Sequence, residues 1–183
     1  MHLFFTGNIQ VGKTTVIQNY IKKYGYRIKG FRTVSGPVAE DGSSKVYMVA
    51  AANPEPDMTD ENVVIRRNGP NAKKWFTVFL EPYETYGVKL LEEADDCDII
   101  MMDELGPKEV DAHIFLSRVK ERLDGDIPVM GVLMKKESAV FDSVSGHPKV
   151  TVLEITPENR ERILQELPPV EKWGEADAFE NCR

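Results

Sequence analysis

The stretch Leu3–Thr15 of this 183-residue chain, LFFTGNIQVGKTT, decides the fold. Residues 3–6 are predicted to form a short buried strand that ends at Gly7. The residues from Gly7 to Thr14 match the pattern G-x-x-x-x-G-K-S/T at every fixed position. Residues 13–24 carry apolar side chains at helical spacing, which predicts a helix directly after this loop. A chance glycine turn would explain the pattern alone, but not its place between a strand and a helix.

A loop with this pattern has the chemistry to hold a triphosphate. Its backbone N–H groups can wrap around the β-phosphate, because glycine at positions 7 and 12 permits backbone angles and a close approach that a Cβ would hinder. Lys13 is expected to place its ammonium between the β- and γ-phosphates, and Thr14 to offer its hydroxyl to Mg²⁺. The positive end of the following helix points at the same phosphates. The predicted nucleotide-binding residues of the loop are Gly7, Asn8, Ile9, Gln10, Val11, Gly12, Lys13, Thr14 and Thr15.

Two carboxylates, Asp103 and Glu104, follow the continuous apolar run Ile99–Met102. Such a run predicts a strand that is covered on both faces. We expect this strand to lie beside the first one, so that its C-terminal end faces the phosphate loop. Asp103 is then predicted to hold Mg²⁺ together with Thr14, and Glu104 to act as the catalytic residue that orients and polarises an attacking water. The alternative is an apolar strand that simply ends in polar residues.

The remainder of the chain alternates strands with helices, which predicts an α/β fold with a mostly parallel sheet and helices on both faces. Further strands are predicted at residues 27–34, 45–49, 63–65, 75–80, 128–134 and 149–155, and further helices at 82–94, 107–123 and 156–167. Turn residues between the early strands indicate an antiparallel insertion over about residues 35–80. The predicted domain spans residues 1–167, and residues 168–183 are expected to form a polar, loosely attached tail.

The composition argues against several classes of protein. The net charge is −7 and no long Lys/Arg block is present, so no nucleic-acid partner is expected. Cys97 and Cys182 are far apart and outside any C-x-x-C pattern, which argues against a disulfide framework and a zinc site. The sequence has no signal-peptide pattern and no apolar run of membrane-spanning length. We therefore expect a cytoplasmic protein with no membrane partner, and no protein partner is indicated.

The motifs together resemble the small P-loop nucleoside-triphosphatases first known from thermophiles, a family that includes a human cancer-related member. The resemblance rests on five patches that span nearly the whole predicted domain: Phe5–Thr15, Gly30-Phe31, Asp103–Pro107, Phe115 and Ile155–Arg160. It implies a RecA-like sheet of the ASCE type with an antiparallel extension. It also implies hydrolysis of nucleoside triphosphates to diphosphate and phosphate that is slow and tolerant of the base.

The sequence departs from that family in three places, and these concern hydrolysis more than binding. Asn8-Ile9-Gln10 stands where a Pro-Gly pair is common. Val38-Ala39-Glu40 stands where the family tends to carry an arginine, although Arg32 comes earlier. Met134 ends the strand after the acidic pair, where a polar residue sensing the γ-phosphate would be useful.

Two pairs of residues have open alternatives. Arg66-Arg67, with Lys73-Lys74 nearby, could supply a positive group to a transition state or could belong to a solvated strand or loop. Asn159-Arg160 could contact the nucleotide base at the C-terminal edge of the sheet, or could be ordinary first-turn residues of a helix.

Three functions are compatible with these motifs. The leading hypothesis is Mg²⁺-dependent hydrolysis of a nucleoside triphosphate, with the working residues Lys13, Thr14, Asp103 and Glu104. The second is a small-molecule or nucleotide kinase on the same scaffold, although kinases usually need an Arg-rich lid and only Arg66-Arg67 resembles one. The third is a non-catalytic switch, in which bound nucleotide sets the affinity for a protein partner. No motif indicates a base preference.

Overall fold

The computed structural model describes residues 1–175 and 177–182, and in this part of the chain eight strands form one sheet. The strands are β1 His2–Thr6, β2 Ile28–Val38, β3 Ser44–Ala50, β4 Val63–Arg67, β5 Phe76–Val78, β6 Ile99–Leu105, β7 Val129–Leu133 and β8 Val150–Glu154. The α-helices are α1 Lys13–Tyr24, α2 Val88–Glu92, α3 His113–Asp124, α4 Ala139–Ser145 and α5 Arg160–Glu166. A π-helix lies at Tyr83–Gly87, and 3-10 helices at Asp60–Asn62, Pro107–Glu109, Val170–Lys172 and Glu180–Cys182. Ala176 and Arg183 of the predicted tail lie outside the described residues.

Across the sheet the strands are ordered β5-β4-β3-β2-β6-β7-β1-β8. The five strands from β2 to β8 in this order pair in parallel. β3, β4 and β5 extend the sheet beyond β2 in antiparallel pairs. The predicted fold class, a mostly parallel α/β sheet with an antiparallel extension, is therefore confirmed.

One part of the predicted topology is wrong, because β6 does not lie beside β1. β7 lies between them and pairs in parallel with both. Gly131 of β7 permits this close fit, since a Cβ there would lie 2.4 Å from the Met102 carbonyl oxygen and 2.5 Å from a ring carbon of Phe4. All three strands run in the same direction, so the C-terminal ends of β1 and β6 still reach the same edge of the sheet.

Successive residues of the central strands alternate between two hydrophobic cores. In β1, Phe4 packs in the core that contains Phe115 of α3, whereas Leu3 and Phe5 pack on the opposite face with Ile17 of α1. The even- and odd-numbered residues of β6 from 99 to 102 divide between the two cores in the same way. Burial on both faces explains why these strands read as continuous apolar runs.

The tail is packed against the core, so the expectation of loose attachment is wrong for residues 168–175 and 177–182. Trp173 is 1% exposed and Phe179 is 6% exposed, with their ring centroids 5.7 Å apart. Trp173 also lies 6.0 Å from the ring of Tyr20 in α1, and the Tyr20 hydroxyl donates to the Pro168 carbonyl oxygen at 2.8 Å. The apolar residues of the tail are scattered among polar ones without a helical or strand period, which concealed their burial.

Several helix boundaries also differ from the prediction. The helix predicted over residues 82–94 divides into the π-helix and α2, and the one predicted from residue 107 begins only at His113. α4 was not predicted; the Ser138 hydroxyl caps it by accepting from the Phe141 amide at 3.1 Å. α5 begins at Arg160, because the side chains of Thr156 and Asn159 each accept from the other's backbone amide and close a turn first.

Candidate functional site

The loop between β1 and α1 turns on three residues with positive φ. Gly7 has a φ of 136°, Gln10 of 64° and Gly12 of 96°. At Gly7 a Cβ would also lie 2.3 Å from the Ile155 carbonyl oxygen, so the backbone angle and the available space both require glycine. Gly12 is the N-cap of α1. The loop therefore leads straight into a helix N-terminus, whose first amides have no partners inside the helix.

Lys13 folds its side chain back onto this loop. Its Nζ donates to the carbonyl oxygens of Gly7 at 3.0 Å and of Asn8 at 2.7 Å. Burial lowers the pKa of Lys13, while the charges of Glu104 and Asp103 oppose that shift. The ammonium is therefore held within the electrostatic reach of both carboxylates.

The predicted metal-binding residues meet although they are far apart in the chain. The Thr14 hydroxyl donates to Asp103 Oδ1 at 3.3 Å, across 89 positions of sequence. Asp103 is 5% exposed, and burial together with the charge of Glu104 raises its pKa to about 6. The Thr14 hydrogen bond and the charges of Lys13 and Arg32 partly oppose the rise. A buried carboxylate in this position gains from a bound cation, which would compensate for its lost hydration.

Glu104 leaves the regular strand geometry at the end of β6. Its φ is 70°, and the pairing between β6 and β7 shifts register between Met102 and Leu105. Residues other than glycine rarely adopt this backbone conformation, and those that do cluster at functional sites. The Thr33 hydroxyl of β2 donates to Glu104 Oε2 at 3.3 Å. The carboxylate is thus oriented by a hydrogen bond from a neighbouring strand.

A cavity of about 950 Å³ joins the loop and the acidic pair at the C-terminal edge of the sheet. The predicted site residues that line it are Gly7, Asn8, Ile9, Gln10, Gly12, Lys13, Thr14, Thr15, Asp103 and Glu104. The remaining lining residues are Thr33, Ser35, Arg67, Val132, Met134, Lys135 and Lys136. The cavity therefore brings the loop, an ammonium group and two carboxylates together on one surface.

The profile of the family described as NTPase matches residues 2–168 of the chain. The chain belongs to this NTPase family. The nucleoside-triphosphatase THEP1 of Methanocaldococcus jannaschii is 30% identical over 174 residues, which cover 91% of this chain and 95% of that relative. The nucleoside-triphosphatase THEP1 of a Thermotoga species is 26% identical over 180 residues, which cover 97% and 99% of the two chains.

Two solved structures share the fold of this NTPase. The crystal structure of THEP1 from the hyperthermophile Aquifex aeolicus matches with a TM-score of 0.70 at 21% identity, over 92% of this chain and 97% of that one. The solution structure of a human cancer-related nucleoside triphosphatase matches with a TM-score of 0.65 at 24% identity, over 90% and 94%. The family resemblance inferred from the motifs is confirmed, and the prediction of a nucleoside-triphosphatase is confirmed at the level of the family.

Three predicted nucleotide-binding residues of this NTPase do not line the cavity. The Val11 side chain is buried in the core on the α1 face, so it anchors the loop. Asn159 accepts from the Thr156 amide at 2.8 Å and donates to the Glu154 carbonyl oxygen at 2.9 Å, which gives its side chain a structural role. Arg160 lies against the loop, with Nη1 3.4 Å from the position that a Gly12 Cβ would take. Contact between Arg160 and a nucleotide base stays a prediction.

Sequence reasoning missed four polar residues that line the cavity. Thr33 and Ser35 lie on one face of β2, and their alternation along a strand was the signal that would have indicated a polar wall. Lys135 and Lys136 directly follow Met134, and Lys135 pairs with Glu154 at 2.5 Å. Met134 itself packs on Gly106, where a Cβ would lie 2.8 Å from its sulfur.

A buried carboxylate, Glu109, supports the segment that follows the acidic pair. Glu109 is 3% exposed, and its Oε2 accepts from the Gly106 amide at 2.7 Å. Its Oε1 accepts from the Tyr83 hydroxyl at 2.9 Å. Burial raises the pKa of Glu109 to about 7, although the bonds from Tyr83 and Gly106 oppose this. Glu109 thus connects Gly106, which follows β6, to Tyr83 of the π-helix. The connection requires a carboxyl group that is buried.

We expect Glu109→Gln to stabilise the protein at pH 8. The pKa of Glu109 is about 7 in the folded chain against a reference value of 4.5, so this acid favours folding fully below pH 4.5 and loses that effect as pH rises through 7. The glutamine can accept from the Gly106 amide and donate to Tyr83 without carrying a charge. The expected gain is about 3 kcal/mol in the free energy of unfolding at pH 8, and it should vanish near pH 4.5. Urea denaturation at both pH values measures it, and Glu81→Gln, an exposed position, is the control. A difference independent of pH would contradict the assignment.

Proposed function

We propose that this chain is a Mg²⁺-dependent nucleoside-triphosphate phosphohydrolase that converts a triphosphate to diphosphate and phosphate. The contact of Thr14 with Asp103 at 3.3 Å carries the proposal. It joins the phosphate loop to the acidic end of β6 and so brings anion-binding and cation-binding groups into one cavity. Membership of the NTPase family supports the same reaction.

The loop from Gly7 to Thr15 is proposed to hold the triphosphate. Its backbone amides and those at the N-terminus of α1 would donate hydrogen bonds to the phosphate oxygens. Lys13 would exchange the neutral carbonyl oxygens of Gly7 and Asn8 for charged oxygens of the β- and γ-phosphates. That exchange is favourable because hydrogen bonds between charged groups are stronger than bonds to a neutral acceptor.

Thr14 and Asp103 fit a magnesium ion. Both offer oxygen atoms, and Mg²⁺ is usually held by one or two carboxylates together with substrate phosphates and water. A bound Mg²⁺ would neutralise charge on the β- and γ-phosphate oxygens.

Glu104 is proposed to act on the attacking water. The water oxygen forms a bond to the γ-phosphorus, the bond from that phosphorus to the β–γ bridging oxygen breaks, and the diphosphate leaves. The Glu104 carboxylate orients the water and accepts its proton. The hydrogen bond from Thr33 leaves one carboxylate oxygen, Oε1, for this role.

Phosphate release tests the proposal. With Mg²⁺ present, the protein should release phosphate from ATP, GTP, CTP and UTP, because no described motif reads a particular base. Removal of the metal with EDTA should lower the rate at least about 100-fold, since the bound ion supplies several kcal/mol of charge stabilisation. Equal rates with and without metal would contradict the assigned roles of Thr14 and Asp103, and no release from any triphosphate would refute hydrolysis.

A second candidate function is a non-catalytic switch, and Met134 is the residue that favours it. This residue lines the cavity, where a polar side chain could bond to the γ-phosphate. Tight binding without repeated turnover in the same assay would favour a switch, and an acceptor that raises ATP consumption many-fold would favour a kinase.

In the described residues no helix is long and apolar enough to cross a membrane. The cytoplasmic location and the absence of a nucleic-acid partner stay predictions from the sequence.

A further inference from the structure

The two adjacent arginines of β4 point to opposite faces of the sheet. Arg66 pairs with Asp41, with Nη2 3.7 Å from Oδ2, and lines a separate cavity of about 890 Å³. Arg67 lines the cavity that contains Lys13 and Glu104. Successive side chains of a strand alternate in direction, so one arginine can serve the site while its neighbour cannot. The structure therefore separates two residues that the sequence leaves equivalent.

The strand order explains how Arg67 reaches the phosphate edge of the sheet. β4 is antiparallel to β3, and β3 is antiparallel to β2, so β4 runs in the same direction as β2 and β6. Arg67 is the last residue of β4, and its end of the strand therefore lies at the edge where the acidic pair lies. The phosphate loop follows β1, which is separated from β4 by β3, β2, β6 and β7. Arg67 and the loop thus border the cavity from opposite sides.

The contacts of Arg67 leave its guanidinium available to an anion. Its Nη1 donates to the Ser35 hydroxyl at 3.0 Å. No ion pair of Arg67 with a carboxylate occurs within the described residues, whereas Arg27, Arg118 and Arg122 each have at least one. A hydrogen bond to a neutral hydroxyl contributes only about 0.5–1.5 kcal/mol, so the guanidinium can exchange it for a charged oxygen at little cost.

Ser35 also relates Arg67 to the proposed catalytic residue. Thr33, which donates to Glu104, and Ser35, which accepts from Arg67, are two positions apart on β2 and line the same cavity. Two strand residues span roughly 7 Å. The anchor of the guanidinium is therefore about 7 Å along the strand from the hydroxyl that orients Glu104. A phosphoryl group that is attacked by a water at Glu104 would therefore lie within reach of the Arg67 guanidinium.

We propose that Arg67 is a catalytic residue that binds the γ-phosphoryl oxygens as the transition state forms. This inference rests on the proposed hydrolysis. Lys13 neutralises charge from the loop side, and the guanidinium neutralises it from the β4 side with planar, paired N–H donors. The cation comes from the same chain, so hydrolysis does not require an arginine from a partner. An arginine in this role contributes about 10³-fold or more to the rate.

Substitution by glutamine at the two adjacent positions tests this assignment. Arg67→Gln keeps much of the aliphatic stem and a donor for Ser35, and it should lower kcat about 10³-fold while the Kd for ATP changes only a few-fold. Arg66→Gln is the matched control, and its kcat should stay within twofold of the wild type. Arg67→Lys should recover part of the loss, because it restores the charge but not the planar fork. Melting temperatures of all variants check that each is folded.

Binding of a phosphoryl-transfer mimic supplies a second readout. Diphosphate with aluminium fluoride should bind the wild type much more tightly than diphosphate alone. Arg67→Gln should lose the gain in affinity that aluminium fluoride gives, but it should keep the affinity for diphosphate. If the wild type hydrolyses triphosphates and Arg67→Gln matches Arg66→Gln in kcat and in binding of the mimic, the role of Arg67 is refuted and the proposed function stands. If the wild type releases no phosphate, the proposed function itself fails.

Discussion

Lys13→Ala should weaken the binding of ATP about 100-fold or more and should reduce phosphate release to background. The Lys13 ammonium is expected to contact two phosphate groups, and a hydrogen bond between charged partners contributes about 1.5–3 kcal/mol. The sum of two such contacts, about 3–6 kcal/mol, corresponds to a loss of roughly two to four orders of magnitude in Kd. Isothermal titration calorimetry with ATP and Mg²⁺ measures the change directly.

The control for this variant is Lys22→Ala, which removes the same charge from the exposed end of α1. Its affinity for ATP should equal that of the wild type, because Lys22 lies outside the residues that line the cavity. The two variants have the same net charge. A difference between their Kd values for ATP therefore reports the position of the missing ammonium group and not the total charge of the protein. An unchanged Kd in Lys13→Ala would mean that the loop does not hold the triphosphate.

Glu104→Gln should retain ATP binding and lose turnover. The glutamine amide keeps an oxygen that can accept a hydrogen bond from Thr33. Because glutamine has nearly the same shape as glutamate, the backbone strain at φ 70° is expected to be the same in both proteins. The amide cannot accept the proton of an attacking water. General-base catalysis contributes about 10²–10⁴-fold, and kcat should fall by that factor while Kd changes little. Phosphate release under steady-state conditions, combined with calorimetry, separates the two quantities.

Glu137→Gln, at an exposed position outside the cavity, is the control for the charge change. It should hydrolyse ATP at the wild-type rate. Undiminished phosphate release from Glu104→Gln would remove Glu104 from the mechanism and direct attention to another group that positions water. The contrast with Lys13→Ala is informative, because one substitution is expected to act on binding and the other on the chemical step.

The local features of this protein were predictable because they depend on neighbouring residues. The pattern that contains Gly7, Gly12 and Lys13 predicted a tight turn between a strand and a helix, and both glycines have the positive φ angles that such a turn requires. The continuous apolar residues of β1 and β6 indicated strands covered on both faces, and both strands lie between two cores. The helix over residues 13–24 was predicted with its observed bounds, since its period is repeated within a short window.

The features that the sequence misjudged depend on long-range packing. The sequence placed β6 beside β1, but β7 lies between them and pairs with both. Trp173 was assigned to a loose tail, but it packs on Tyr20, far away in the chain. Neither arrangement has a periodic signal within a short window, because each forms between segments that are distant in the sequence.

The sequence by itself determined the glycine-rich turn between β1 and α1, the acidic end of β6 and the layered α/β class, since backbone propensity and side-chain period act over a few residues. Only the tertiary structure decided that β7 separates β1 from β6, that Thr14 nevertheless meets Asp103, and that Arg67 and not Arg66 borders the cavity. Strand order and the direction of a strand's faces follow from how distant segments pair and bury their apolar surfaces together. That pairing is a property of the whole chain, and no short stretch contains it.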